Sequence, residues 1–97
     1  PSFGHEYKKV RPALIIQNDK YIESGELLTV IPISSQISKQ TELDVLLRKD
    51  PQNRLMTDSL LKIKQISSFD KRRFIKLVGI VNEGIMKKVK ENINQVI

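Results

Sequence analysis

Residues 4–16 read Gly4-His5-Glu6-Tyr7-Lys8-Lys9-Val10-Arg11-Pro12-Ala13-Leu14-Ile15-Ile16. A polar, charged stretch passes through Val10-Arg11-Pro12 directly into an apolar, β-rich run. Proline has no N–H to give a sheet ladder, so it belongs at the first residue of a strand or at an edge. Residues 10–17 therefore read as a buried strand, with residues 1–9 as the loop that leads into it. Arginine is seldom buried without an anion beside it, and its planar fork matches phosphate oxygens. The loop reads as one that aims the Arg11 guanidinium, together with the His5 imidazole, at a phosphate.

Residues 18–25 read as a polar turn, with Asn18-Asp19 and Ser24-Gly25 as breakers. Residues 26–33 are a second strand, rich in leucine, valine and isoleucine, and Pro32 implies that it bends or runs at an edge near its end. A polar loop at 34–41 precedes a third strand at 42–48, a turn at 49–53 and a short extended piece at Leu55 and Met56. Residues 59–67 alternate well enough to predict one strand with a polar face that carries Lys62 and Lys64. Asp70 is a helix N-cap residue ahead of a short helix at 71–74. Residues 77–81 read as a last strand. Asn82 then caps a C-terminal amphipathic helix, with Ile85, Met86, Val89, Ile93 and Val96 on one face and lysines opposite. The fold class is mainly β with α: a small antiparallel barrel or curled sheet, a short helix, and a C-terminal helix packed against it.

The 97 residues make one domain, spanning 1–97, and 39% apolar residues suffice for a single modest core. A dimer that buries further surface is expected at this size. With no cysteine, disulfides and thiolate metal sites are excluded, and with His5 the only histidine, so is a multi-histidine site. No apolar run reaches the ~20 residues that span a bilayer. No signal-peptide pattern opens the chain. The composition reads as a soluble cytoplasmic protein. The net charge of +6 and the pI of about 9.7 favour an anionic partner. The one dense cluster, Lys71-Arg72-Arg73, is explained equally well as a solvated helix face.

The order Gly4-x-Glu6-x-x-x-x-Arg11-Pro12 closely resembles the opening motif of the MazF/PemK (Kid) family of toxin endoribonucleases. Ile33-Ser34-Ser35-Gln36, then Asp58-Ser59, Gln65-Ile66 and Asp70-Lys71, are similar to later segments of that family, in the same order and spacing. The helix from Asn82 matches the family's closing helix.

The resemblance implies a small SH3-like barrel of the CcdB/MazF type that dimerises. It also implies a type II toxin that cuts single-stranded mRNA without metal or cofactor, leaving 2′,3′-cyclic phosphate and 5′-hydroxyl ends. The partner it implies is an antitoxin with an acidic, disordered tail. On this resemblance Arg11 stabilises the phosphorane, Ser34 stands where the family has a threonine, and His5 takes part as in the Kid-type branch, with Glu6 as an alternative base. Glu6, Tyr7, Lys8, Lys9, Ser35, Gln36, Lys62, Lys64 and Gln65 are the expected RNA-binding residues. Residues 35–41 and 55–58 are expected to set which bases are read.

Departures from the family pattern qualify the match. An aspartate and an arginine of the Kid-type branch fall at Lys64 and Lys62, so no carboxylate base is supplied there. The family's first strand lies ahead of this segment, and roughly ten residues before Pro1 are expected, one strand plus a start. Two rival readings are a CcdB-type gyrase poison and a non-catalytic RNA-binding homologue. Against the first, the chain has no tryptophan and ends Asn94-Gln95-Val96-Ile97, where CcdB-type chains carry a Trp-Gly-Ile tail.

Overall fold

The computed structural model describes residues 10–16 and 25–96. Its strands are β1 (Ala13–Ile15), β2 (Leu27–Ser34), β3 (Val45–Leu47), β4 (Ser59–Leu61) and β5 (Ser67–Asp70), followed by helix α1 (Glu83–Val96). All pairings are antiparallel, in the order β1-β2-β4-β3, with β5 also on β2. No described pairing joins β1 to β3, so the described sheet is open and curled and not a closed barrel.

Strand β2 organises the sheet. Its register sets Ile31 opposite Leu14 on β1, Val30 opposite Ser67 on β5 and Ile33 opposite Leu61 on β4. Pro32 is thus central and not at an edge. Ladder bonds to β1 run from Ile16 N to Thr29 O and from Ile33 N to Pro12 O, so the polar groups of Pro32 face the other side. There its carbonyl accepts from Lys62 N at 2.9 Å. Its missing N–H falls where β2 changes partner from β5 to β4, a place with no ladder carbonyl to meet.

That change of partner breaks the single strand expected at 59–67. Residues Ile63–Gln65 form a 3₁₀ turn between β4 and β5, closed by Gln65 N to Lys62 O at 2.9 Å. Ile63 is buried, but a continuous strand could not have served both halves of β2. The third strand is also shorter than expected, because residues 41–44 close a turn through Asp44 N to Thr41 O.

The last expected strand, 77–81, is not formed. After β5, Asp70 caps a 3₁₀ turn at Lys71–Arg73, accepting from Arg72 N at 2.8 Å. Residues 74–82 then cross the 50–53 turn as an irregular strap, held by Ile80 N to Gln52 O at 2.9 Å. Leu77 is 78% and Ile80 73% exposed, so this β-rich run lies on the surface.

The main core joins Leu14, Ile31, Val45, Leu47, Leu61, Ile63 and Val89. Helix α1 supplies Val89, with Ile85, Met86 and Ile93 packed around it. Val96, expected on that face, is exposed at the helix end. Asn82 caps α1 as predicted, its Oδ1 accepting from Ile85 N at 2.9 Å. On the other face of β2, Leu28 and Val30 join Ala13 with Ile15, Phe69 and Phe74.

The strap sets a sharp packing constraint. A Cβ at Gly79 would lie 2.5 Å from Gln52 O and 2.6 Å from Asn53 O, both backbone atoms. We expect Gly79→Ala to lower stability by about 1–3 kcal/mol, the range for overpacking. Urea unfolding measures this, and an unchanged midpoint would show that the strap is not docked on the turn.

Candidate nucleic-acid interface

A groove of about 540 Å³ opens beside the mouth of β1. Val10, Arg11 and Pro12 line one side, Ile33 to Gln36 the second, and Met56, Thr57 and Ser59 the third. The ladder bond from Ile33 N to Pro12 O, at 3.3 Å, fixes the loop mouth next to the end of β2. Arg11 is exposed, which suits a guanidinium that meets a dissolved anion. Ser34 is held by its pairing with Leu60 on β4. Its Oγ accepts from Gln36 N at 3.2 Å, and the hydroxyl proton stays available to donate.

The structure brings Arg11, Ser34, Ser35 and Gln36 around one groove. His5, Glu6, Tyr7, Lys8 and Lys9 lie outside the described residues. Lys64 and Gln65 are exposed on the 3₁₀ turn after β4 and do not line this groove. Of the stretches expected to read bases, 35–41 contributes Ser35 and Gln36 to the wall and 55–58 contributes Met56 and Thr57. Ser59, quoted from the sequence only as part of the Asp58-Ser59 match, lines the groove as well. Met56 is an apolar side chain 94% exposed in a loop.

Lys62 departs from the expectation of a solvated strand face. Its Nζ lies 2.6 Å from Asp44 Oδ2, and the two side chains are only 16% and 1% exposed. The same Oδ2 accepts from Thr41 N at 2.8 Å and from Thr41 Oγ1 at 3.0 Å. Burial pushes the Asp44 carboxyl up, but the hydrogen bonds from Lys62 and Thr41 together outweigh it and leave it lowered. The Lys62 charge is therefore committed inside the protein. Arg72 in the basic cluster is likewise engaged: its side chain and backbone bond Asp70 and hold that exposed carboxyl down at about 2. Arg73 stacks 5.0 Å from the Phe69 ring centre. No helix among the described residues is long and apolar enough to cross a membrane.

An open antiparallel sheet with one terminal helix, and a groove lined by Arg11 and Ser34 at the mouth of β1, define a small α+β protein. Residues 1–97 match the family described as the PemK-like, MazF-like toxin of type II toxin-antitoxin system. The chain belongs to this family. It is 27% identical over 96 residues to endoribonuclease MazF9 of Mycobacterium tuberculosis, covering 94% of this chain and 80% of that protein. The fold is shared with the M. tuberculosis toxin MazF-mt6, with a TM-score of 0.80 at 19% identity over 94% of this chain and 89% of the other. It is shared also with a MazE–MazF structure from Deinococcus radiodurans, with a TM-score of 0.78 at 20% identity over 99% and 94%.

The lowered Asp44 carboxyl has a pH consequence. In the unfolded chain Asp44 takes up its proton near the ordinary value of 3.8, whereas in the folded chain it does so at lower pH. Its stabilisation is therefore full above that value and lost as pH falls through the folded one. Asp44→Asn removes one partner of a buried pair and is expected to destabilise by about 3 kcal/mol near neutral pH. The difference from the unmodified protein should shrink by about pH 3. Urea unfolding at the two pH values checks this, and a pH-independent difference would show that the carboxylate charge contributes nothing.

Proposed function

We propose that this protein is a sequence-selective, metal-independent endoribonuclease, the toxin of a type II pair, acting on single-stranded mRNA. The observation that carries the reading is the convergence of Arg11 and Ser34 on one open groove. Kinship with a protein named an endoribonuclease supports it.

In the proposed reaction the substrate's own 2′-hydroxyl attacks the adjacent phosphorus. The 2′-O–P bond forms, the P–O5′ bond breaks, and the products are a 2′,3′-cyclic phosphate and a 5′-hydroxyl. Charge builds on the non-bridging oxygens as the phosphorane forms. Arg11 is suited to that position because its fork donates two parallel hydrogen bonds that strengthen as charge develops. Ser34 donates its free proton to the same phosphate. One group must take the 2′-hydroxyl proton and one must give a proton to the leaving oxygen. His5 is the proposed acid or base, because its unperturbed pKa lies nearest neutrality, with Glu6 as the alternative base.

The reading includes a cytoplasmic homodimer, and exposed Ile75, Leu77 and Ile80 on the strap supply apolar surface for pairing. It also includes a cognate antitoxin whose acidic tail would cover the groove. A solved endoribonuclease from a mycobacterial species, of the same fold, is in complex with its cognate antitoxin. The +6 charge suits both the RNA and such a tail.

Purified protein should cut mixed-sequence RNA in EDTA, leaving 5′ ends that polynucleotide kinase labels directly. Cutting that requires added Mg²⁺ would refute the mechanism, and no cutting would leave the gyrase-poison and non-catalytic readings. Arg11→Ala should lower the rate by about 10²–10³, the range for one transition-state donor, with an unchanged unfolding midpoint. Ser34→Thr should keep activity because the hydroxyl survives, whereas Ser34→Ala should lose most of it. Equal activity of the two serine variants would remove Ser34 from the chemistry.

A further inference from the structure

We propose that the Asp44–Lys62 pair, with Thr41, is a positioning clamp for base selectivity: it fixes the far end of the 35–41 loop so that its groove-facing residues keep one geometry. The inference rests on the reading of the groove as the RNA site.

The loop is tied at both ends. At its start Ser34 Oγ takes Gln36 N, and a 3₁₀ turn follows at Ile37–Lys39. At its end Thr41 gives both its N–H and its hydroxyl to Asp44 Oδ2. Lys62 closes the clamp from the residue after β4. Leu60 and Leu61 of that strand pair with Ser34 and Ile33, and Lys62 N bonds Pro32 O. The clamp and Ser34 are thus built on one strand pair, so loop and hydroxyl hold a common frame. A second tie is independent of the charges. Leu43 sits at φ 72, a left-handed conformation that a branched residue keeps only when its surroundings impose it. Its carbonyl accepts from Asn92 Nδ2 on α1 at 2.9 Å.

Stability alone is a poor reason for this arrangement. Well-packed apolar residues commonly replace a buried ion pair at no loss. Asp44 also leaves Oδ1 buried with no hydrogen-bond partner among the described residues, while three donors converge on Oδ2. What the charges supply is direction: they fix where Thr41 stands relative to β4. Base reading by hydrogen bonds tolerates errors well under about 1 Å, so a loop anchored in this way can discriminate where a loose one cannot.

The test compares cleavage-site preference and not total activity. The full chain is prepared unmodified, as the double variant Asp44→Leu/Lys62→Met, as Thr41→Val, and as Lys62→Arg. Each is given the same mixed-sequence RNA, the new 5′ ends are mapped, and kcat/KM is measured at the preferred and next-preferred sites. We expect the double variant to fold and cut, with its preference reduced about tenfold. Thr41→Val should shift preference in the same direction by less, and Lys62→Arg should retain it. Loss of fold stability alone would lower cutting at all sites together and leave their ratio unchanged. An unchanged ratio in the folded double variant overturns the clamp. If that variant does not fold, Thr41→Val decides, and an unchanged ratio there overturns it equally. RNA left intact by the unmodified protein refutes the nuclease reading itself, and the clamp with it.

Discussion

Strand β2 is hydrogen-bonded on both edges, to β1 on one side and to β5 and then β4 on the other. Two short strands must share one edge, and the handover between them explains much of the molecule. It accommodates a proline inside a central strand. It forces the 3₁₀ turn that carries Lys62 inward. It also leaves the last residues of β2 beside the loop mouth at Pro12, where Arg11 and Ser34 meet. Each half of the edge is satisfied by only a few residues, so the sheet curls and stays open.

The distribution of charge follows from that geometry. The chain carries a net +6, but its cations are not interchangeable. Lys62 is held by Asp44 and Arg72 by Asp70. A basic composition alone would have assigned all of them to an anionic partner. The buried pair matters because the desolvation of Asp44 is opposed by three converging donors, which makes it directional as well as attractive. The Asp70–Arg72 pair is exposed on its arginine side and contributes little by comparison.

The local elements were legible wherever one physical signal acts alone. Asn82 as a helix cap needs only a side-chain oxygen near free N–H groups. The face of α1 needs only a 3.6-residue period, and it failed just at Val96, which is exposed at the helix end. Arg11-Pro12 at the mouth of β1 needed only the missing N–H of proline. The segments at 59–67 and 77–81 read as strands because alternation and β-branched content report the character of side chains and not the presence of a partner strand. Alternation at 59–67 was partly real, since Ile63 is buried, but register required a break. At 77–81 the segment pairs with no strand among the described residues and crosses the 50–53 turn as a strap.

The class of the fold, the loop arginine ahead of β1, the hydroxyl at the end of β2, and the kinship that the ordered motifs carry were all readable along the chain. These depend on residue type and spacing along the chain, which local physics reads directly. Which cations face solvent, and which strand β2 pairs with at each residue, emerge only in the folded chain. Those outcomes depend on contacts between residues far apart in sequence. Lys62 and Asp44 are 18 positions apart, and no periodicity in the chain records that they meet.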